Sequence, residues 1–389
     1  MIRFIANLFF YSSLFCYVTP VNIFPTDIQP FYLVFGVIYI LIRFPNKLPK
    51  EISVIIFTVI VSSFILVVNL FTFDAIRSYL AYLGILVCFV AYYKYLIDYG
   101  IPYKIFENFV YIIFAISLAQ KFISKNLFSF FLVSQRTSDE RGVTSVFSEP
   151  THYGMICLFL IIILLLIDHP QKIRLNWILL IQIFVLAMST QTMLFVFLWA
   201  IIYIILNKLK LSQSFIIVAM LAIISYSYSF FVVYFDLVDI RFVKLLDVII
   251  NDGFEMLIVA DSSVADRLAH IIYSFKGFYD NYFLPNGFVY WFDYLDYNNN
   301  MFEGTLPHAG MSKIMSSFGA VLFELGIFGL PLILLFYFNI IRLSKKANRN
   351  SLEIVIVFSF IFLTAVQLTL PLYSFILGFG CWARATKFL

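Results

Sequence analysis

The sequence predicts an all-α integral membrane protein of about twelve spanning helices, and three observations carry that prediction. Of its 389 residues, 62% are hydrophobic and only 12% are charged, and the mean hydropathy is +0.96, far from the composition of soluble globular domains. Apolar runs recur at about the twenty-residue length that a helix needs to cross the hydrocarbon layer. The alternation over about ten residues that marks an outer-membrane barrel is absent.

The first run, 3–20, opens on Arg3 and closes on Thr19-Pro20. It lacks the small-residue cleavage site of a signal peptide, and another apolar run follows at once, so it reads as a retained first helix. Runs at 29–43, 52–71, 76–97 and 106–122 come next. A long segment, 123–149, precedes the runs at 151–168, 174–190, 192–208 and 214–235, of which 174–208 reads as a tight hairpin. A second long segment, 236–312, leads to 314–341, 352–369 and 370–385, the last two again a hairpin. The whole chain, 1–389, is expected to form one polytopic membrane domain without internal repeats. Cys16, Cys88, Cys157 and Cys381 all fall within apolar runs and show neither metal-ligand nor disulfide spacing, so they read as packing residues.

Lys and Arg in the short loops set the orientation. With the N-terminus in the cytoplasm, the basic residues of every short loop fall inside except Arg77, and the C-terminus is cytoplasmic too. The remaining basic residues, among them Lys125, Arg136, Arg141, Arg267, Lys276 and Lys313, lie in or beside the two long external segments. Long loops escape the charge rule. Between them they contain Phe, Tyr and Trp and carry helical patterning, which predicts a folded cap on the outer face of the membrane.

Three stretches stand out chemically. In RGVTSVFSEPTHYG, 141–154, Ser148 is the expected N-cap and Pro150 lies in the first turn of the next helix. Glu149 and His152 then sit at the water boundary beneath Arg141. An ordinary helix start accounts for Glu-Pro but not for Arg141 or His152. In DSSVADRLAHIIYSFKGFYDNY, 261–282, Ser263 is the expected cap with Asp266 at capping-box distance. Leu268, Ile271, Ile272 and Phe275 form an apolar side there, and Arg267, His270 and Ser274 run along another. Such a helix is expected at the membrane surface, its polar side facing either a cleft or solvent. In 304–330, His308 and Lys313 precede the tenth run and Glu324 lies about three turns inside it. Glu324 stays outside the core site, with Arg141 or Lys313 as an expected ion partner.

Arginines projecting into a partly dehydrated external cavity suit a diphosphate, because the guanidinium fork binds phosphate oxygens in pairs and stays charged. A carboxylate or neutral histidine nearby can take a proton from an attacking hydroxyl. The class of chemistry is then transfer of a group from a lipid diphosphate to an alcohol. A transporter would place ionisable groups through both leaflets, whereas these cluster outside. A purely structural scaffold predicts that Arg141 and Arg267 are replaceable.

The Arg-Gly and Ser-Glu-Pro elements of 141–150, the Ser-Val-x-x-Arg helix start at 263–267 with the loop to Asn286-Gly287, and His308 ahead of Phe323-Glu324-Leu325-Gly326-Ile327 resemble the polysaccharide polymerases of the O-antigen polymerase (Wzy) type, within the O-antigen polymerase and ligase superfamily. His308 is followed by Ala-Gly where such enzymes often carry Asn. The resemblance implies a GT-C-like membrane fold with two large extracytoplasmic loops. It implies that oligosaccharide repeat units on undecaprenyl diphosphate, both donor and acceptor, are joined at the outer face of a bacterial cytoplasmic membrane. The product would be O-antigen, capsule or exopolysaccharide, made by inverting, metal-independent glycosyl transfer. A ligase that moves finished glycan to a terminal lipid acceptor is the alternative, and a transporter of lipid-linked units the third reading. By match to the motifs, Arg141 and Arg267 would bind the diphosphate and Glu149 and His308 compete as the base. His152, His270, Lys313 and Glu324 are secondary candidates. No cofactor, metal or nucleic acid is expected, while the lipid bilayer, a chain-length regulator and a flippase are expected partners.

Overall fold

The structure, a computed structural model, describes residues 1–19, 21, 26–69, 71–137, 141–206, 248, 251–253, 256–301, 314–364 and 366–386. All regular secondary structure among them is helical. Every apolar run expected from the sequence holds a helix, except 214–235, which lies outside the described residues. Three helical stretches are long and apolar enough to cross a membrane: Phe73–Tyr99, Tyr103–Phe122 and Ser317–Lys346. Six further apolar helices are shorter.

Helices α1 (Ile2–Leu14), α2 (Phe31–Ile42) and α3 (Ile52–Val68) group around α4 (Phe73–Tyr99). Thr72 caps α4 by accepting from the Ala75 N–H, and Gly100 ends it with a left-handed φ of 71°. Helix α5 (Tyr103–Phe122) leads through the first long segment to α6 (Pro150–Leu166), α7 (Lys172–Ile181) and α8 (Thr190–Leu206). A π-helical stretch, Gln182–Ala187, continues α7 and ends on Met188 in the left-handed region, where the hairpin turns. The second long segment supplies α9 (Met256–Ala260), α10 (Ser262–Asp280) and α11 (Trp291–Met301). The chain then forms α12 (Ser317–Leu325), α13 (Leu330–Lys346), α14 (Ser351–Leu363) and α15 (Pro371–Ala385).

Helix α6 is apolar around its whole circumference beyond its first turn, and both α6 and α15 are buried along nearly all their length, as expected of central helices. Tyr373 of α15 ties the centre together. Its ring lies 5.1 Å from Phe159 of α6, 5.7 Å from Phe336 of α13 and 5.4 Å from Phe362 of α14. Each tilted or edge-on contact adds roughly 0.5–1.5 kcal/mol beyond burial. Because α6 is held on all sides, its first turn is a fixed platform.

Two expectations are corrected, the cap of α10 and the continuity of the tenth run. Helix α10 is capped by Asp261, which accepts from the Ser263 and Val264 N–H groups at 2.9 and 3.1 Å, rather than by Ser263. The side of α10 that carries His270 and Ser274 is the one buried against the protein. Ala265, Ala269, His270, Tyr273 and Ser274 face the protein, while Ile272 and Phe275 are exposed. Small residues let α10 and the next stretch come close: a Cβ on Gly277 would meet Phe323 at 2.4 Å, and one on Gly319 would meet Ser274 at 2.2 Å. The tenth run is interrupted rather than continuous. A short 3-10 turn, Gly326–Gly329, separates α12 from α13, starting at Gly326 with φ 59°.

Candidate functional site

The first long segment is folded onto the helix ends beneath it. Gln120 of α5 accepts from the Ser145 N–H at 2.6 Å and donates to the Ser145 and Leu127 carbonyls, both at 2.8 Å. This grip holds Ser145 at a φ of 54°, a conformation that side chains resist. Gly142 lies so close to the π-helical stretch that a Cβ would meet the Ala187 carbonyl oxygen at 2.2 Å, and the Val143 N–H donates to the Leu186 carbonyl at 2.8 Å. The Arg-Gly pair is thereby explained: Gly142 permits the contact, and the contact pins the loop next to Arg141.

At the start of α6, Glu149 occupies the N-cap position without a side-chain capping bond. Ser148, expected there, uses its hydroxyl elsewhere. It donates to Asp27 Oδ2 at 3.0 Å and lies 2.8 Å from His152 Nδ1. Glu149 is paired with arginines instead. Arg136 Nε stands 2.7 Å from Oε1, and the Arg267 guanidinium of α10 lies 4.0 Å from Oε2. Arg136 also reaches Asp27 Oδ2 at 2.5 Å, and Ser134 donates to Asp27 Oδ1 at 3.1 Å. Four separated parts of the chain thus meet: 26–30, the loop before α6, the first turn of α6 and α10.

Burial pushes the Glu149 carboxyl up, yet the charges of His152, Arg136, Arg267 and Arg141 outweigh it and hold the group below its ordinary value. Burial works against the Arg136 charge, but Glu149 and Asp27 raise its pKa above the usual guanidinium value. The site is a row of arginines pre-arranged around one ionised carboxylate.

The second and third stretches interlock. The Asn286 and Gly287 N–H groups donate to the Phe323 and Glu324 carbonyls at 3.0 and 3.3 Å, and Ile327 N–H donates to Phe283 O at 2.8 Å. The break at Gly326 frees these helical carbonyls, and the Asn-Gly loop satisfies them. Glu324 is buried and accepts from Tyr82 Oη at 2.6 Å. Tyr82 is thus one observed partner of Glu324, while the expected partner Lys313 lies outside the described residues. His270 is 1% exposed; its Nδ1 accepts from the Met315 N–H at 3.1 Å and its ring lies 5.1 Å from Trp291. It joins α10 to the segment before α12. His308 and Lys313 lie outside the described residues.

No protein-family model matches the chain, and no curated protein matches it either.

The structure therefore brings Arg141, Glu149, His152 and Arg267 together and places His270 and Glu324 in packing contacts. Asp27 and Arg136 were not singled out in the sequence. Arg136 was visible only as one basic residue of the long segment, and Asp27 sits 121 positions from its partner Ser148. An acid between the first two apolar runs was the one available signal for Asp27. Among the described residues, no three His, Cys, Asp or Glu side chains gather as metal ligands would.

Proposed function

We propose that this protein is a membrane glycosyltransferase that joins oligosaccharide repeat units carried on undecaprenyl diphosphate into a surface polysaccharide, on the extracytoplasmic side of a bacterial cytoplasmic membrane. The observation that carries the reading is the convergence of Arg136, Arg141 and Arg267 on Glu149 at the mouth of a fixed central helix. Two guanidinium groups within ion-pair distance of one carboxylate, with Arg141 near enough to act on its charge, form a site that a diphosphate can enter by exchanging with that carboxylate. The motif resemblance supplies the substrate class. In this reading Arg141 and Arg267 hold the donor diphosphate and stabilise the charge that grows on it as the sugar leaves. The fold is GT-C-like, with about twelve spans and both termini cytoplasmic.

The test is the size distribution of surface glycan in a deletion strain complemented with wild type, Arg141→Ala, Arg267→Ala or His308→Ala at matched expression. A ladder in wild type and a single repeat unit in the deletion and arginine strains is the expected outcome. Long lipid-linked chains with nothing on the final acceptor in the deletion strain would make the protein a ligase. Normal ladders from both arginine variants would remove the site from the reaction.

A further inference from the structure

Ser148 has one hydroxyl proton and three polar neighbours. Its Oγ lies 3.0 Å from Asp27 Oδ2, 2.8 Å from His152 Nδ1 and 3.5 Å from an Arg136 terminal nitrogen. An ionised carboxylate only accepts and a guanidinium only donates. The Ser148 proton therefore goes to Asp27, and Nδ1 of His152 donates to Ser148. A neutral imidazole with its proton on Nδ1 carries its lone pair on Nε2. Nε2 makes no hydrogen bond with any described residue. Asp27 is itself fixed by Ser134 and Arg136, so the chain of bonds starts from an oriented carboxylate.

We propose that Asp27 and Ser148 set the tautomer of His152, and that His152 Nε2 is the atom that takes the proton from the attacking sugar hydroxyl. This inference rests on the glycosyl-transfer reading above. The other described candidates suit the step less: Glu149 is a carboxylate held below its ordinary pKa by the cations around it and so is the weaker base, and Nδ1 of His270 accepts from a backbone N–H in a closed packing site. In the step itself, the acceptor O–H bond breaks and its proton moves to Nε2. The oxygen forms a bond to the donor's anomeric carbon, whose bond to the diphosphate oxygen breaks with both electrons. The diphosphate leaves as an anion against the arginines. The imidazolium returns its proton to water or to that anion. Charged and titratable groups around the ring are Glu149 beside it, Asp27 from 26–30, Arg136 from the loop, Arg267 from α10 and Tyr17 after α1. Asp27 and Ser148 are positioning residues, and His152 is the catalytic one.

The chain has only four histidines, so 15N-histidine NMR of the purified full-length protein at mildly alkaline pH can be assigned by single substitutions. The expected spectrum shows His152 protonated on Nδ1 in wild type and shifted toward the Nε2–H form in Ser148→Ala. Kinetics would use lipid-linked oligosaccharide extracted from the deletion strain. Ser148→Ala is expected to lower kcat about 10- to 100-fold with KM little changed, Ser148→Thr to restore most of it, and His152→Gln to lower kcat about 100-fold or more. An Nε2–H tautomer in wild type overturns the proposal. So does an unchanged kcat in Ser148→Ala, or a Ser148→Thr protein as slow as Ser148→Ala. Wild type that makes no polymer from these units would instead sink the glycosyltransferase reading, and the tautomer would still be read independently.

Discussion

Glu149 illustrates how one side chain can be legible in sequence while its role is not. An acid before a helical proline is ordinary, but Arg136 at 2.7 Å and Arg267 at 4.0 Å turn it into the counter-ion of a cationic site. Its folded pKa lies below the ordinary value of 4.5, so the stability it adds is fully present above about pH 4.5 and is lost as pH falls through the depressed folded value. Thermal melts in detergent should show this loss in wild type below that pH. Glu149→Gln should be less stable already at neutral pH and lack that acid limb, and superimposable acid limbs would argue against the pairing. Arg141 and His152 were recognisable because a charge or imidazole at an apolar helix mouth is costly without a purpose, and Arg267 because it shares the polar side of α10 with His270 and Ser274. Asp27 was not, because its role depends on partners over a hundred positions away. At the other acid, Tyr82→Phe removes the 2.6 Å donor to buried Glu324 and should lower stability by about 1–3 kcal/mol, measured by thermal unfolding in detergent.

Among the elements, the apolar runs located the helices well, since burial and length alone specify them. Breaks and close packing were harder to read. The run at 314–341 looks continuous, yet Gly326 ends α12 with its φ of 59° and its close approach to the backbone of Leu284 and Pro285. That approach is a tertiary fact with no local signature beyond a glycine. The close packing of α10 on α12 was hidden for a related reason: Gly277 and Gly319, which permit it, carry no local signature beyond being glycines. Gly142 gives the sharpest test at this scale. Gly142→Ala would push a methyl group into the Ala187 carbonyl, so the loop must lift and Arg141 with it. The expected result is protein at normal levels in the membrane with a glycan ladder as short as that of Arg141→Ala. An unaltered ladder would show that the loop can yield without moving the site.

Across the whole molecule, the sequence conveyed helical class and apolar character. Three stretches meet the requirements for crossing a membrane by length and composition. The grouping of helices around α4, α6 and α15 was not legible, because a helix as uniformly apolar as α6 has no polar side to say which neighbour each face will meet. Orientation is the claim that belongs here: the end bearing Glu149 is expected to face outward. Phe130, 74% exposed near that end, and Ile173, 72% exposed beyond the far end of α6, bracket the central helix. Phe130→Cys should react with a membrane-impermeant thiol reagent on intact cells, and Ile173→Cys only after the membrane is opened. The reverse pattern would invert the topology. The four native thiols, Cys16, Cys88, Cys157 and Cys381, are all buried and unpaired, so they offer such reagents almost no background. The natural protein is therefore already a near-silent scaffold for mapping by single introduced cysteines, without first building a cysteine-free variant.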